Sequence, residues 1–188
     1  MSRALFLDRD GVLNQRIPDG YVLREEQFVV LSGVLEALAR LSPLFDHVFM
    51  VTNQQGIGKG LMTEEDLRRI HAAFVGQVQA AGGRLDAIYF CPALKSAHSF
   101  MRKPSIGMAL QARREHPGLC LKHSVMVGDT LSDMLFGRRA GMTTVLVGDE
   151  PQLAHASPHL VDYCYGDLLA FANAYSPSSP QGRVPKKK

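Results

Sequence analysis

Little in this sequence marks a membrane, secreted or repetitive protein. No apolar run approaches the roughly 18 residues that a membrane span needs. Cysteine is scarce: Cys91, Cys120 and Cys164 are an odd number without paired spacing, which fits a reducing cytoplasm better than a disulfide-stapled secreted domain. The opening MSRALFLDRDG lacks the basic-then-apolar shape of a secretory signal, so a cytoplasmic protein is expected. No internal repeat is visible at any period. A P-loop and a Gly-x-Gly-x-x-Gly dinucleotide fingerprint are both missing.

Excess positive charge is also missing from most of the chain. The formal net charge is +3, which invites a polyanion partner. All 18 acidic residues lie before Ser176, however, while Arg183, Lys186, Lys187 and Lys188 of the 21 basic residues lie after it. Without those four the balance is 17 against 18, so the sequence pI of about 8.8 reports on a tail. This argues against a nucleic-acid partner. The 188 residues suffice for one ordinary domain, expected over 1–175. The stretch SPSSPQGRVPKKK over 176–188 has the composition of a disordered basic tail. A monomer is the expectation.

Short apolar runs alternate with longer amphipathic ones. Strands are expected at Ala4–Asp8, Val48–Asn53, Ala87–Cys91, Ser124–Gly128 and Thr143–Val147, with a weaker one at Leu160–Tyr165. Helices are expected at Gly33–Leu41, from Thr63 to the Gly82-Gly83 pair, at Ser105–Glu115 and Ser132–Ala140, and near Asp167–Ala174. The second carries a stripe of Leu67, Ile70, Phe74, Val78 and Ala81. Strands apolar throughout and separated by helices predict an α/β fold with a doubly wound, mainly parallel sheet. Its site then lies beyond the carboxyl ends of the strands.

Four strand ends carry chemistry. After the first comes Asp8-Arg9-Asp10-Gly11, where an extended backbone would send both carboxylates one way and Arg9 another. Such a pair suits a divalent metal or a division between nucleophile and general acid. An Asp-Gly turn or a calcium loop would also use it, although Leu13 and Asp19 stand where an EF-hand needs Gly and Glu. After the second come Thr52, Asn53, Gln54 and Gln55 with Gly56, Gly58 and Gly60, a loop able to hold phosphate oxygens or simply a glycine-rich turn. The third is Arg102-Lys103-Pro104, read as a helix start where an unfavourably placed lysine meets an anion. At the fourth, Asp129 stands just past a buried strand and Asp133 in the next helical turn, as a cap or as support for the site. Together they bring carboxylates, a lysine and a hydroxyl to one edge. That is a phosphoryl-transfer site with a carboxylate nucleophile, in which Mg²⁺ would offset the acids.

These residues resemble the haloacid dehalogenase superfamily of phosphatases over almost all of residues 3–172. FLDRDGVLN, VTNQQGIGKG and MRKP are similar to its branch of heptose-bisphosphate and histidinol-phosphate phosphatases. The resemblance implies a Mg²⁺-dependent phosphomonoesterase of small phosphorylated metabolites, with a heptose bisphosphate the first candidate, histidinol phosphate the second and a 3′-phosphorylated polynucleotide an alternative. It implies Asp8 as nucleophile, Asp10 as acid and base, and Thr52 and Lys103 on the transferring group. It further implies substrate contacts from Asn53, Gln54, Gln55 and Arg102, and metal ligation by the Asp8 carboxylate, the Asp10 carbonyl and Asp129. Only 22 residues separate Asp10 from Gly33, so a capless site is expected. Relatives carry a zinc loop built as Cys-x-His and Cys-x-Cys. Here Cys91 is followed by Ala93 in the histidine position, and His98 is the only other candidate nearby, so no structural zinc is expected. The remaining histidines, His71 among them, read as surface or packing residues.

Overall fold

The computed structural model describes residues 1–148 and 151–176; apart from Ser176, the tail expected over 176–188 lies outside them. Six strands form one parallel sheet: β1 Ala4–Leu7, β2 His47–Asn53, β3 Ala87–Cys91, β4 Val125–Gly128, β5 Thr143–Val147 and β6 Tyr163–Tyr165, in the order β3-β2-β1-β4-β5-β6. The helices are α1 Val34–Leu41, α2 Gln55–Gly58, α3 Glu64–Ala80, α4 Gly107–Glu115, α5 Leu131–Arg139, α6 Pro151–Ala156 and α7 Leu168–Ala174.

The pleat sends alternate residues of each strand to opposite faces, and both faces are apolar. Leu5, Leu7, Val48, Met50, Val125 and Val127 pack beneath α1, α3 and α7. Ala4, Phe6, Phe49, Val51 and Met126 pack against α4 and Phe136 of α5. Phe6 meets Phe49 edge to face at 5.2 Å across the β1–β2 pair, a favoured aromatic geometry. β1 sits centrally, with Leu7 opposite Met50 on one side and Val127 on the other. The residue after Leu7 therefore emerges between two other strand ends.

Local chemistry explains most element limits. Thr63 caps α3 reciprocally with Asp66, and Thr130 caps α5 with Asp133 in the same way. Several expectations are corrected. β1 ends at Leu7, so Asp8 lies beyond it. The third expected helix starts at Gly107, so Pro104 and Lys103 belong to the turn before it. Ala81 is exposed and leaves the α3 stripe. The glycine-rich stretch after β2 forms the single-turn α2, with Gly56 buried. β6 begins at Tyr163 and not at Leu160. Between β1 and α1 the described chain forms only a short flap with one 3-10 turn, Glu25–Gln27, so no cap domain stands over the sheet edge.

Candidate active site

Asp8 is held by its own strand end. Its N–H donates to the Val127 carbonyl at 3.0 Å, and its Oδ1 accepts the Arg9 N–H at 2.7 Å. Lys103 reaches it from the loop before α4. The ammonium stands 2.7 Å from Asp8 Oδ1 and 2.6 Å from Asp133 Oδ1, and it donates to the Val51 carbonyl at 2.8 Å. Asn53 fixes that loop, accepting the Lys103 N–H at 3.0 Å and donating to the Lys103 carbonyl at 3.1 Å. The lysine is only 4% exposed. Burial pushes its pKa down, but Asp133 and Asp8 outweigh burial and hold it above the usual lysine range.

Asp8, Asp129 and Asp133 each offer a carboxylate oxygen, all within 4.8 Å of one another. Such a cluster suits a divalent cation. Asp133, left undecided by sequence, does two things at once: Oδ2 accepts from the Thr130 backbone and hydroxyl while Oδ1 faces the ammonium. The group is short of positive charge. Burial, then Asp133, push the Asp8 carboxyl up to about 8 against the pull of Lys103, and burial with Asp133 pushes Asp129 up to about 7 against Arg16. The glycines here are steric requirements. A Cβ on Gly11, at φ +95°, would fall 2.0 Å from Asp129 Oδ2, and one on Gly128 would fall 2.2 Å from the Asp133 Cβ.

Asp10 turns away from this group. Extended geometry would send Arg9 to the far side, but the strand has ended, and Arg9 curls back to pair with Asp10 through Nη2 at 2.8 Å and Nε at 3.1 Å. Asn14 donates to Asp10 Oδ1 at 3.0 Å and Gln54 to Oδ2 at 3.1 Å. Burial would raise the Asp10 pKa, but the Arg9 charge and these hydrogen bonds hold it below the usual carboxylate range. Arg9 itself is 1% exposed, lies over the Phe28 ring and stands 3.5 Å from His71 Nε2. Burial and the Arg9 charge push His71 down to about 3, so the imidazole is neutral. His71 thus belongs to a polar network and not to apolar packing alone.

Thr52 is buried and accepts from Gln54 Nε2 at 2.8 Å. Gln55 donates to the Tyr21 hydroxyl at 2.8 Å, fastening the flap. The loop after Cys91 is fastened by Arg102, which donates to the Ala93 carbonyl at 3.1 Å, and by the Gly58 N–H on the Pro92 carbonyl at 3.2 Å. Asn53, Gln54, Gln55 and Arg102 all line one cleft of about 1070 Å³ with Asp8, Asp10, Thr52 and Lys103 on its floor. Asp129 joins them through the carboxylate cluster. Sequence spacing missed Arg16, whose guanidinium bridges the Asp10 carbonyl and Asp129, and the Arg9–His71 contact.

The described fold and site match known proteins. A family described as HAD-hydrolase-like matches residues 100–169. The D-glycero-alpha-D-manno-heptose-1,7-bisphosphate 7-phosphatase of Burkholderia mallei is 40% identical over 79% of this chain and 81% of its own length. The corresponding beta-heptose enzyme of Helicobacter pylori is 39% identical over 74% of this chain and 79% of its own. The crystal structure of D,D-heptose 1,7-bisphosphate phosphatase from B. bronchiseptica, complexed with magnesium and phosphate, superposes with a TM-score of 0.82 at 32% identity, covering 91% of this chain and 96% of that one. With most of both chains aligned at such identities, this chain belongs to the haloacid dehalogenase superfamily of phosphatases, in the branch of the heptose-bisphosphate phosphatases.

Proposed function

We propose that this phosphatase hydrolyses one phosphate ester of a small sugar bisphosphate, a heptose 1,7-bisphosphate first, with Mg²⁺ bound by Asp8, Asp129 and the Asp10 carbonyl, and Asp133 beside them. The observation that carries the reading is the pairing of a charge-hungry floor with a cationic rim. Asp8 and Lys103 sit at the bottom of the cleft, and Lys59, Lys95 and Arg102 line it further out, where a second phosphate would lie. The surroundings fit the ion: carboxylate oxygens of Asp8, Asp129 and Asp133 lie within 4.8 Å of one another, and the Asp8 carboxyl is pushed up in spite of Lys103. When bound, Mg²⁺ makes Asp8 fully ionised and neutralises the phosphate oxygens.

In this reading an Asp8 oxygen attacks phosphorus. The P–O bond to the sugar breaks, and the leaving oxygen takes a proton from Asp10. Arg9, Asn14 and Gln54 hold the Asp10 pKa low, so the proton that Asp10 passes to the leaving oxygen comes from the arriving phosphate monoanion, whose charge raises the proton affinity of Asp10. In the second half Asp10 accepts a proton from water, the water oxygen attacks phosphorus, and Asp8 is released with inorganic phosphate. Lys103 offsets charge on the transferring group, and Thr52 holds an oxygen of it. Asn53, Gln54, Gln55 and Arg102 provide the surrounding polar contacts. All three cysteines are free, which supports a reducing cytoplasm; a role in carbohydrate metabolism follows from the proposed sugar substrate.

The test is phosphate release from heptose 1,7-bisphosphate, histidinol phosphate, a 3′-phosphorylated oligonucleotide and simple sugar monophosphates, each with Mg²⁺ and with chelator. The bisphosphate should give the highest kcat/KM, lost in chelator and reduced at least about 10³-fold by Asp8→Asn. No turnover above the Asp8→Asn background would overturn the assignment. A monophosphate or the oligonucleotide leading the panel would overturn the sugar-bisphosphate reading.

A further inference from the structure

One nitrogen of Arg16 makes a contact set that is unusual for a surface arginine. Nη2 lies 2.9 Å from the Asp10 carbonyl oxygen and 2.9 and 2.8 Å from the two carboxylate oxygens of Asp129. These oxygens belong to two of the three groups assigned above to the metal. A divalent ion would approach the same oxygens to about 2.1 Å, so it and the Arg16 nitrogen compete for one place. We propose that Arg16 is a built-in competitor of the divalent cation, displaced when the ion binds, and that its release loosens the flap over the cleft. This rests on the metal reading of the previous subsection.

The energetics favour exchange. The Arg16 side chain is 47% exposed while Asp129 is 18%, so the guanidinium can return to water cheaply, as exposed ion pairs contribute little. The flap itself has separate anchors. Its base is tied by the Gln15 N–H on the Val29 carbonyl at 2.8 Å and by the Asn14–Val30 bridge. Its tip is tied by Gln55 on the Tyr21 hydroxyl and by Lys59 over the Tyr21 ring. Arg16 sits between these anchors, so losing its contact frees the middle of the flap without detaching the segment. The position also sets an order: the ion displaces Arg16 first, and the freed cation then faces a cleft that receives phosphate.

The test uses the full chain stripped of metal and titrated with Mn²⁺, with free Mn²⁺ read by electron paramagnetic resonance, and amide exchange followed over residues 16–23. Arg16→Ala should bind Mn²⁺ about two- to fivefold tighter than wild type, whereas Lys59→Ala, which removes a cation from the same cleft without touching Asp129, should not. In wild type Mn²⁺ should speed exchange over 16–23. In Arg16→Ala exchange should already be fast and indifferent to the ion. Arg16→Gln repeats the test if the alanine variant is poorly folded. Equal affinity in wild type and Arg16→Ala, equal tightening in Lys59→Ala, or slower flap exchange on adding Mn²⁺ to wild type would each overturn the proposal. Failure of every variant to bind Mn²⁺ would defeat the metal reading as well.

Discussion

Asp8 and Asp10 stand two residues apart and finish in opposite electrostatic states. On the Asp8 side three carboxylates cluster, Asp8 and Asp133 on the buried Lys103 ammonium and Asp129 on the half-exposed Arg16, and the Asp8 and Asp129 carboxyls are driven upward to about 8 and 7. On the Asp10 side one carboxylate receives a buried guanidinium and two amides, and its pKa is driven down. The first side lacks positive charge and must gain it; the second is already neutralised by its own chain. One strand end thus supplies a group that waits for a cation and a group held ready to trade a proton. The general lesson is that residue type at a strand end does not decide protonation. The count of donors and charges that other elements bring there does.

The largest effect should come from breaking the finished side. Arg9→Met removes the guanidinium paired with the Asp10 carboxylate and leaves that partly buried group facing two amides. Loss of one partner of such a pair costs about 3 kcal/mol, or roughly 6–12 °C in Tm for a chain of this size. Urea denaturation and calorimetry would read it. The same variant should move the limb of the pH–rate profile that reports Asp10 upward, since burial then acts without Arg9. A denaturation midpoint equal to wild type would show that pairing does not hold this side together.

The unfinished side should respond in the reverse direction. Asp8 and Asp129 hold protons in the fold that the unfolded chain has released, because their pKa values lie above the ordinary 3.8. In chelator, their contribution to stability is therefore fully present below about pH 3.8 and is lost as pH rises through about 7 and 8. Asp129→Asn removes one of the crowded charges. It should raise the Tm of the chelated protein at pH 8 by about 3 °C while abolishing the rise in Tm on adding Mg²⁺. An Asp129→Asn protein less stable than wild type in chelator would mean that the carboxylates are not in excess.

The layout of both sides was partly legible in the chain. The strands announced themselves as apolar runs, and a parallel sheet sends their carboxyl ends to one edge, so Asp8, Thr52 and Asp129 stood out by position, whereas Lys103, in the loop between β3 and α4, stood out by its charge before Pro104 and by the family resemblance. The helix around 55–58 was not, because one turn with two glycines carries no periodicity. Pro104 misled because proline suits a helix start as well as the turn that it occupies here. Asp133 stayed ambiguous for a sound reason: its two oxygens perform separate tasks, and a sequence records only one carboxylate. Arg16 with Asp129 and Arg9 with His71 are pairs 113 and 62 residues apart. No local spacing relates them, and only the folded sheet brings them together.

The smallest effect tests the outer end of the finished side. His71 stands 3.5 Å from Arg9 and is neutral in the fold, held down to about 3 by burial and then by the Arg9 charge. In the unfolded chain it titrates near 6.5, so below that pH the unfolded state gains a proton that the fold refuses. Its contribution to stability is therefore complete above about pH 6.5 and is lost as pH falls toward 3. Between pH 7.5 and 5.5 this amounts to about 1.4 kcal/mol, one pKa unit's worth of linkage. His71→Gln keeps an acceptor for Arg9 in its amide carbonyl and has nothing to titrate. Its urea midpoint should therefore fall less over that interval than that of wild type. If the two proteins lost stability in parallel, His71 would be protonated in the fold, and Arg9 would be facing a second cation instead of an acceptor. The neutral imidazole is what lets a guanidinium stay buried with its whole charge directed at Asp10.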